Sequence, residues 1–176
     1  MEKIEIVKQI STLKQILEGL EQIFDTRTPK NTEVSQEELN QLRHWAIFVH
    51  TELEGGMSRV ILQWLFPKAG ILKAPTQDEG ELTRAVVLYI EVLDKMSFDR
   101  LLSTFKLFAK QYELDKFDPE LMPLITKVKN IRNDLAHPIE PNLKKYVTCQ
   151  ALHQAYVDLV DCITAFKSAI EKVKRG

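Results

Sequence analysis

Cysteine is nearly absent from the 176 residues: Cys149 and Cys162 are the only two. They fall 13 residues apart on one predicted helix, too far to bond to each other, and they match no zinc-type spacing. A disulfide framework is excluded, no metal site is expected, and a reduced, cytoplasmic setting is expected. Long hydrophobic runs are missing too. The longest, near residues 61–66 and 85–90, are far too short to span a bilayer, so no membrane partner is expected. Charge of one sign is missing: 24 Lys and Arg against 25 Asp and Glu leave a net charge of −1, which excludes capture of nucleic acid by bulk charge alone. Charged residues at the N-terminus replace the apolar segment of a signal peptide. No Gly-rich phosphate loop, nucleophile elbow, paired-acid signature, low-complexity tract or repeat is present. Glycine and proline total 13 and lie mostly between periodic stretches, which points to long helices and short joints.

What the chain has in quantity is helical periodicity, enough for one domain over residues 1–176. Ile6, Ile10, Leu13, Leu17, Leu20 and Phe24 form a seam on a first helix over 2–25. Ser35 and Glu38 read as a capping box opening a second helix to about Phe66. Leu39, Leu42, Ala46, Val49, Leu53, Val60 and Trp64 mark its buried face, with Gly55-Gly56 giving a kink or a close helix contact. After a loop over 67–78, the very apolar stretch 79–95 predicts a central, mostly buried helix. Ser97 caps a fourth helix to about Leu114, and Asp118-Pro119 opens a fifth that stops near Ala136 because Pro138 disfavours helical geometry before it. The last helix follows the joint 138–142 and runs to about Lys174, with Leu152, Tyr156, Leu159, Ile163, Phe166, Ile170 and Val173 as its seam. The expected fold class is all-α, a bundle of about five or six helices. The seams on the first and last helices exceed what one antiparallel pairing needs, which suggests a homodimer.

The segment most suited to chemistry is Arg132-Asn133-Asp134-Leu135-Ala136-His137, followed by Pro138. Arginine offers a permanently charged planar fork for phosphate oxygens, and histidine exchanges a proton near neutral pH. On a straight helix the two would point about 140° apart and would not meet. Either Pro138 releases His137 from the helical track, or two copies of the motif face each other across a dimer axis. Together the pair supports attack of an RNA 2′-hydroxyl on the adjacent phosphorus, with Arg132 stabilising the charge and His137 acting as acid or base. Asn133, four residues before His137, would orient the imidazole or bind phosphate. Asp134 should point elsewhere and receives no catalytic part.

These six residues resemble the Arg-x4-His motif of the HEPN superfamily, in its Arg-Asn-x-x-Ala-His form. The resemblance implies a HEPN-like fold and a metal-independent RNA endonuclease that needs no cofactor. Its products would be a cyclic 2′,3′-phosphate and a free 5′-hydroxyl, made in a cleft between paired protomers. It further implies a toxin or phage-defence effector of a prokaryote, working beside a cognate antitoxin such as a minimal nucleotidyltransferase.

Residues 126–148 carry a net +3, with Lys127, Lys129, Lys144 and Lys145 as candidate RNA-binding residues, whereas residues 1–40 carry −3. His50 and Glu54 have the i, i+4 spacing of a metal pair but lack a third ligand, so His50 reads as solvent-exposed. His44 reads as a helix-surface residue beside Trp45, and His153 as surface or interface. The alternative function is a non-catalytic helical module that binds a protein partner or a nucleotide, which the near-neutral pI of about 6.4 and the acidic first third favour.

Overall fold

The computed structural model describes residues 11–19, 21, 22, 34–72, 78–111, 113, 114, 118–136 and 144–175. Every regular element among them is helical. Residues 11–19 with 21 and 22 form α1. Gln36–Leu65 form α2, and Glu79–Leu88 form α3, which continues as a π-helical turn over Tyr89–Leu93. Phe98–Gln111 form α4, Leu121–Ala136 α5 and Cys149–Arg175 α6, with a short 3-10 turn at Lys144–Tyr146. The chain is therefore all-α, as the periodicity predicts.

Local chemistry sets most of the boundaries. At the start of α2, Glu38 N–H donates to Ser35 Oγ (3.2 Å) and Ser35 N–H donates to Glu38 Oε2 (2.7 Å), the reciprocal pair of a capping box. Glu81 N–H donates to Asp78 Oδ1 at the start of α3 (3.0 Å), and this bond holds the Asp78 carboxyl below its ordinary range. α5 is described as far as Ala136, and Pro138, expected to end it, lies outside the described residues. Two starts differ from expectation. α5 begins at Leu121, because Pro119 and Glu120 are spent in a turn whose Asp118 carbonyl accepts from Leu121 N–H (3.1 Å). α6 begins at Cys149 rather than just after Asn142, because Thr148 is the cap that accepts from Ala151 N–H (3.2 Å).

The chain divides into two compact units, residues 1–50 with 122–164, and residues 51–121 with 165–176. In the first, Leu42, Ala46 and Val49 of α2, Ile125, Val128 and Leu135 of α5, and Leu152, Tyr156 and Leu159 of α6 are buried together with Leu13 of α1. Ile6, Ile10, Leu20 and Phe24 of the first seam lie outside the described residues. The α6 seam is thus consumed within the protomer, so it no longer argues for a dimer.

In the second unit Leu53, Met57, Val60 and Ile61 of α2 are buried, as are Phe105 of α4 and Phe166 of α6, whose rings lie 5.9 Å apart. Buried Gln63 ties down the loop after α2: its Nε2 donates to the Pro67 carbonyl (3.1 Å) and its Oε1 accepts from Leu72 N–H (2.9 Å). Trp64 departs from the predicted seam. It is 41% exposed, with its indole edge-on to Phe108 at 4.8 Å.

α3 departs furthest from expectation. Of its apolar residues only Ala85 and Leu93 are buried, so it is not a central helix. On a straight α-helix Leu93 would stand about 80° from Ala85. The wider π turn, in which Asp94 N–H reaches the Tyr89 carbonyl (2.9 Å), brings Leu93 back towards Ala85's face. Hydropathy alone does not distinguish a helix wrapped by its own chain from one left with an open apolar face.

The adjacent glycines of α2 differ sharply. α2 runs through both, and a Cβ on Gly56 would collide with the Phe166 ring, whereas one on Gly55 meets only Arg59 at 3.7 Å. Gly55→Ala is expected to stabilise the protein by about 0.5–1 kcal/mol through helix propensity. Gly56→Ala is expected to destabilise it, because overpacking costs about 1–3 kcal/mol and outweighs that gain. Urea unfolding of the two variants checks this, and equal stability would show that Phe166 yields freely.

Candidate functional site

The last turn of α5 presents the candidate chemistry. Ile131 and Leu135 are buried and fix the rotation of the helix, which leaves Arg132, Asn133 and Asp134 half-buried at its edge. The Arg132 guanidinium donates from Nη1 to Asn133 Oδ1 (3.1 Å). Asn133 therefore engages the arginine. His137, with Pro138 behind it, lies outside the described residues.

A second imidazole enters from α2. His50 is 7% exposed, which corrects the expectation of a solvated side chain. Burial, with the charge on Arg132 acting in the same sense, lowers its pKa to about 4. His50 is therefore neutral at physiological pH, with one ring nitrogen able to donate and the other to accept. Two turns earlier on α2, Arg43 Nε is buried and has no hydrogen-bond partner among the described residues.

Asp134 points away from this group, as expected. It accepts from Lys145 Nζ at 3.0 and 2.9 Å and from the Tyr146 hydroxyl at 3.0 Å. Tyr146 is buried, and burial together with the Asp134 carboxylate pushes its phenol well above the ordinary tyrosine range. The Asp134 contacts pin the turn Lys144–Tyr146 to the end of α5.

Among the candidate RNA-binding lysines, ion pairs engage Lys145 and Lys127. Lys145 binds Asp134, and Lys127 binds Asp158 of α6 at 3.0 Å. Asp158 lies 31 residues from Lys127, so a charge count over 126–148 omits it. Lys129 is half-buried and Lys144 exposed.

The other histidines are peripheral. His44 is exposed and edge-on to Trp45 at 5.6 Å, and His153 Nε2 lies 3.7 Å from Glu21 Oε1. Among the described residues no group of three potential ligands could hold a metal ion. Among the described residues, too, no helix is long and apolar enough to cross a membrane.

Sequence reasoning missed His50 and Tyr146. The signal for His50 was present: it stands four residues after Ala46 and three before Leu53, both on the predicted seam, which places it at the edge of the buried face. Tyr146 gave none, since its partner Asp134 is 12 residues away across an irregular segment. Comparison of the chain with protein-family models, curated proteins and solved structures finds no match.

Proposed function

We propose that the chain is a HEPN-type, metal-independent RNA endonuclease. The observation that supports this most is the state of Arg132. Its partner among the described residues is a neutral amide and not a carboxylate, so the guanidinium charge remains available to an anion. Arg132 would hold the non-bridging oxygens of the scissile phosphate, with Asn133 bracing the guanidinium. His137 would exchange the protons. The RNA 2′-oxygen attacks the phosphorus, the bond to the 5′-oxygen breaks, and the proton lost by the 2′-hydroxyl is matched by one delivered to the leaving oxygen. The products are a cyclic 2′,3′-phosphate and a free 5′-hydroxyl. On this reading the substrate is RNA, the partners are a second protomer and an antitoxin such as a minimal nucleotidyltransferase, and the setting is the cytoplasm of a prokaryote.

The ion pairs at Lys127 and Lys145 favour a second reading, a non-catalytic helical module that docks a protein or a nucleotide. One experiment separates the two. Purified protein is incubated with a mixed RNA pool in EDTA, beside the Arg132→Ala and His137→Ala variants. The nuclease reading expects cleavage that survives chelation and is lost in both variants. An uncut pool, cleavage that needs a divalent ion, or equal cleavage by the variants would overturn it.

A further inference from the structure

Arg43 of α2 holds a polar group that the fold does not satisfy. Its Nε is buried and has no hydrogen-bond partner among the described residues. The positions one turn away on α2 offer it no carboxylate: they are Leu39, Asn40, Ala46 and Ile47. Arg132 stands in a similar condition, with Val128, Lys129, Leu135 and Ala136 one turn away and the Asn133 amide accepting from its guanidinium. A buried donor that folding leaves unpaired points to a task other than folding.

The first compact unit brings these two arginines to one flank. Arg43 and His50 are seven residues apart, so they project within about 20° of each other, about 10 Å apart along α2. Leu42, Ala46 and Val49 centre the buried face, which puts Arg43 and His50 along one edge of it. Val34 N–H donates to the Val147 carbonyl (3.0 Å), and the neighbouring Tyr146 donates to Asp134 near the end of α5 (3.0 Å). The last turn of α5 therefore lies beside the first half of α2. The Arg132 charge is felt at His50, and Arg43 stands on the same edge of α2, between Val34 and His50. His50 is neutral, so the positive charge of this flank comes from the two arginines.

We propose that Arg43 is a second phosphate-binding residue of the Arg132 site, so that two guanidiniums take neighbouring phosphates of one RNA strand. The inference rests on the nuclease reading and extends it from the scissile phosphate to the one beside it. Each planar fork can bind two oxygens of one phosphate, and the buried Nε–H of Arg43 gains an acceptor only when the strand is bound.

The test uses a fluorescent single-stranded 2′-O-methyl RNA, which lacks the attacking hydroxyl and stays intact. Binding to the full chain is read by anisotropy at several salt concentrations, and folding by thermal melting. The wild type is expected to bind. Arg43→Met, an apolar side chain of similar length, is expected to weaken binding by about tenfold or more and to lower the salt dependence by about one phosphate contact. Its melting midpoint should equal or exceed that of the wild type, because the change removes a buried donor that folding left unpaired. A purely structural arginine would show the reverse, an earlier melt with affinity retained. Arg43→Lys keeps a charge at the position and should recover part of the affinity. Lys106→Gln, the same change of charge in the second unit, should bind like the wild type. A wild type that does not bind, an Arg43→Met variant that melts early or binds like the wild type, no recovery in Arg43→Lys, or an equal loss in Lys106→Gln would overturn the proposal. Cleavage of unmodified RNA is read separately. An uncut RNA with binding that depends on Arg43 removes the nuclease reading alone, and cleavage with binding indifferent to Arg43→Met removes this inference alone.

Discussion

RNA cleavage by the Arg132→Ala variant is expected to fall by about 10²–10³-fold, the effect of deleting one positioned donor to developing charge. Arg132→Lys should recover only part of that loss. An ammonium keeps the positive charge, but it cannot present two parallel N–H donors to two phosphate oxygens. The structure adds a second readout that needs no RNA. The Arg132 guanidinium helps to hold the His50 pKa low, so removing it should raise that pKa. The rise will be partial, because burial is the larger cause and is unchanged. NMR titration of the imidazole resonances measures it directly. Arg132→Lys should leave the His50 titration close to wild type while still impairing cleavage. If instead both substitutions leave cleavage intact, Arg132 does not touch the scissile phosphate.

How much of this was legible in the sequence depended on the range of the interaction. Helix caps were readable because they act within a turn: Ser35 with Glu38, and Asp78 before Glu81. The α6 seam was readable because an apolar stripe at helical spacing must be buried somewhere, and Leu152, Tyr156, Leu159 and Ile163 are buried. What covers a stripe was not readable. The 79–95 segment is the most apolar helix, yet Val87 and Ile90 face outward. At the candidate site the motif identified Arg132 and Asn133 but not their neighbours. His50 is 82 positions before Arg132, and Asp158 is 31 after Lys127, so neither lies within any local window. Long-range electrostatics decided which charges are spent in ion pairs, and the sequence held no record of those pairings.

Lowering the pH from 7 to 4 should cost the fold about 3 kcal/mol through His50 alone, since its pKa falls from 6.5 unfolded to about 4 folded, at about 1.4 kcal/mol per unit. The direction follows from which state binds more protons. Above pH 6.5 the imidazole is neutral in both states, and the group contributes nothing to the pH dependence. Between 6.5 and 4 the unfolded chain takes up the proton and the folded chain refuses it, so stability drops as the pH falls. Below 4 both states are protonated and the loss from this group levels off. Against a typical total stability of about 5–15 kcal/mol, such a loss is a large fraction. His50→Gln keeps a polar side chain of similar reach and cannot titrate. Urea unfolding at pH 7, 5 and 4 should therefore show a steeper decline for the wild type than for His50→Gln, with the gap widening towards pH 4. Parallel declines would mean that the imidazole is solvated in the folded protein, and the electrostatic link between His50 and Arg132 would fall with it.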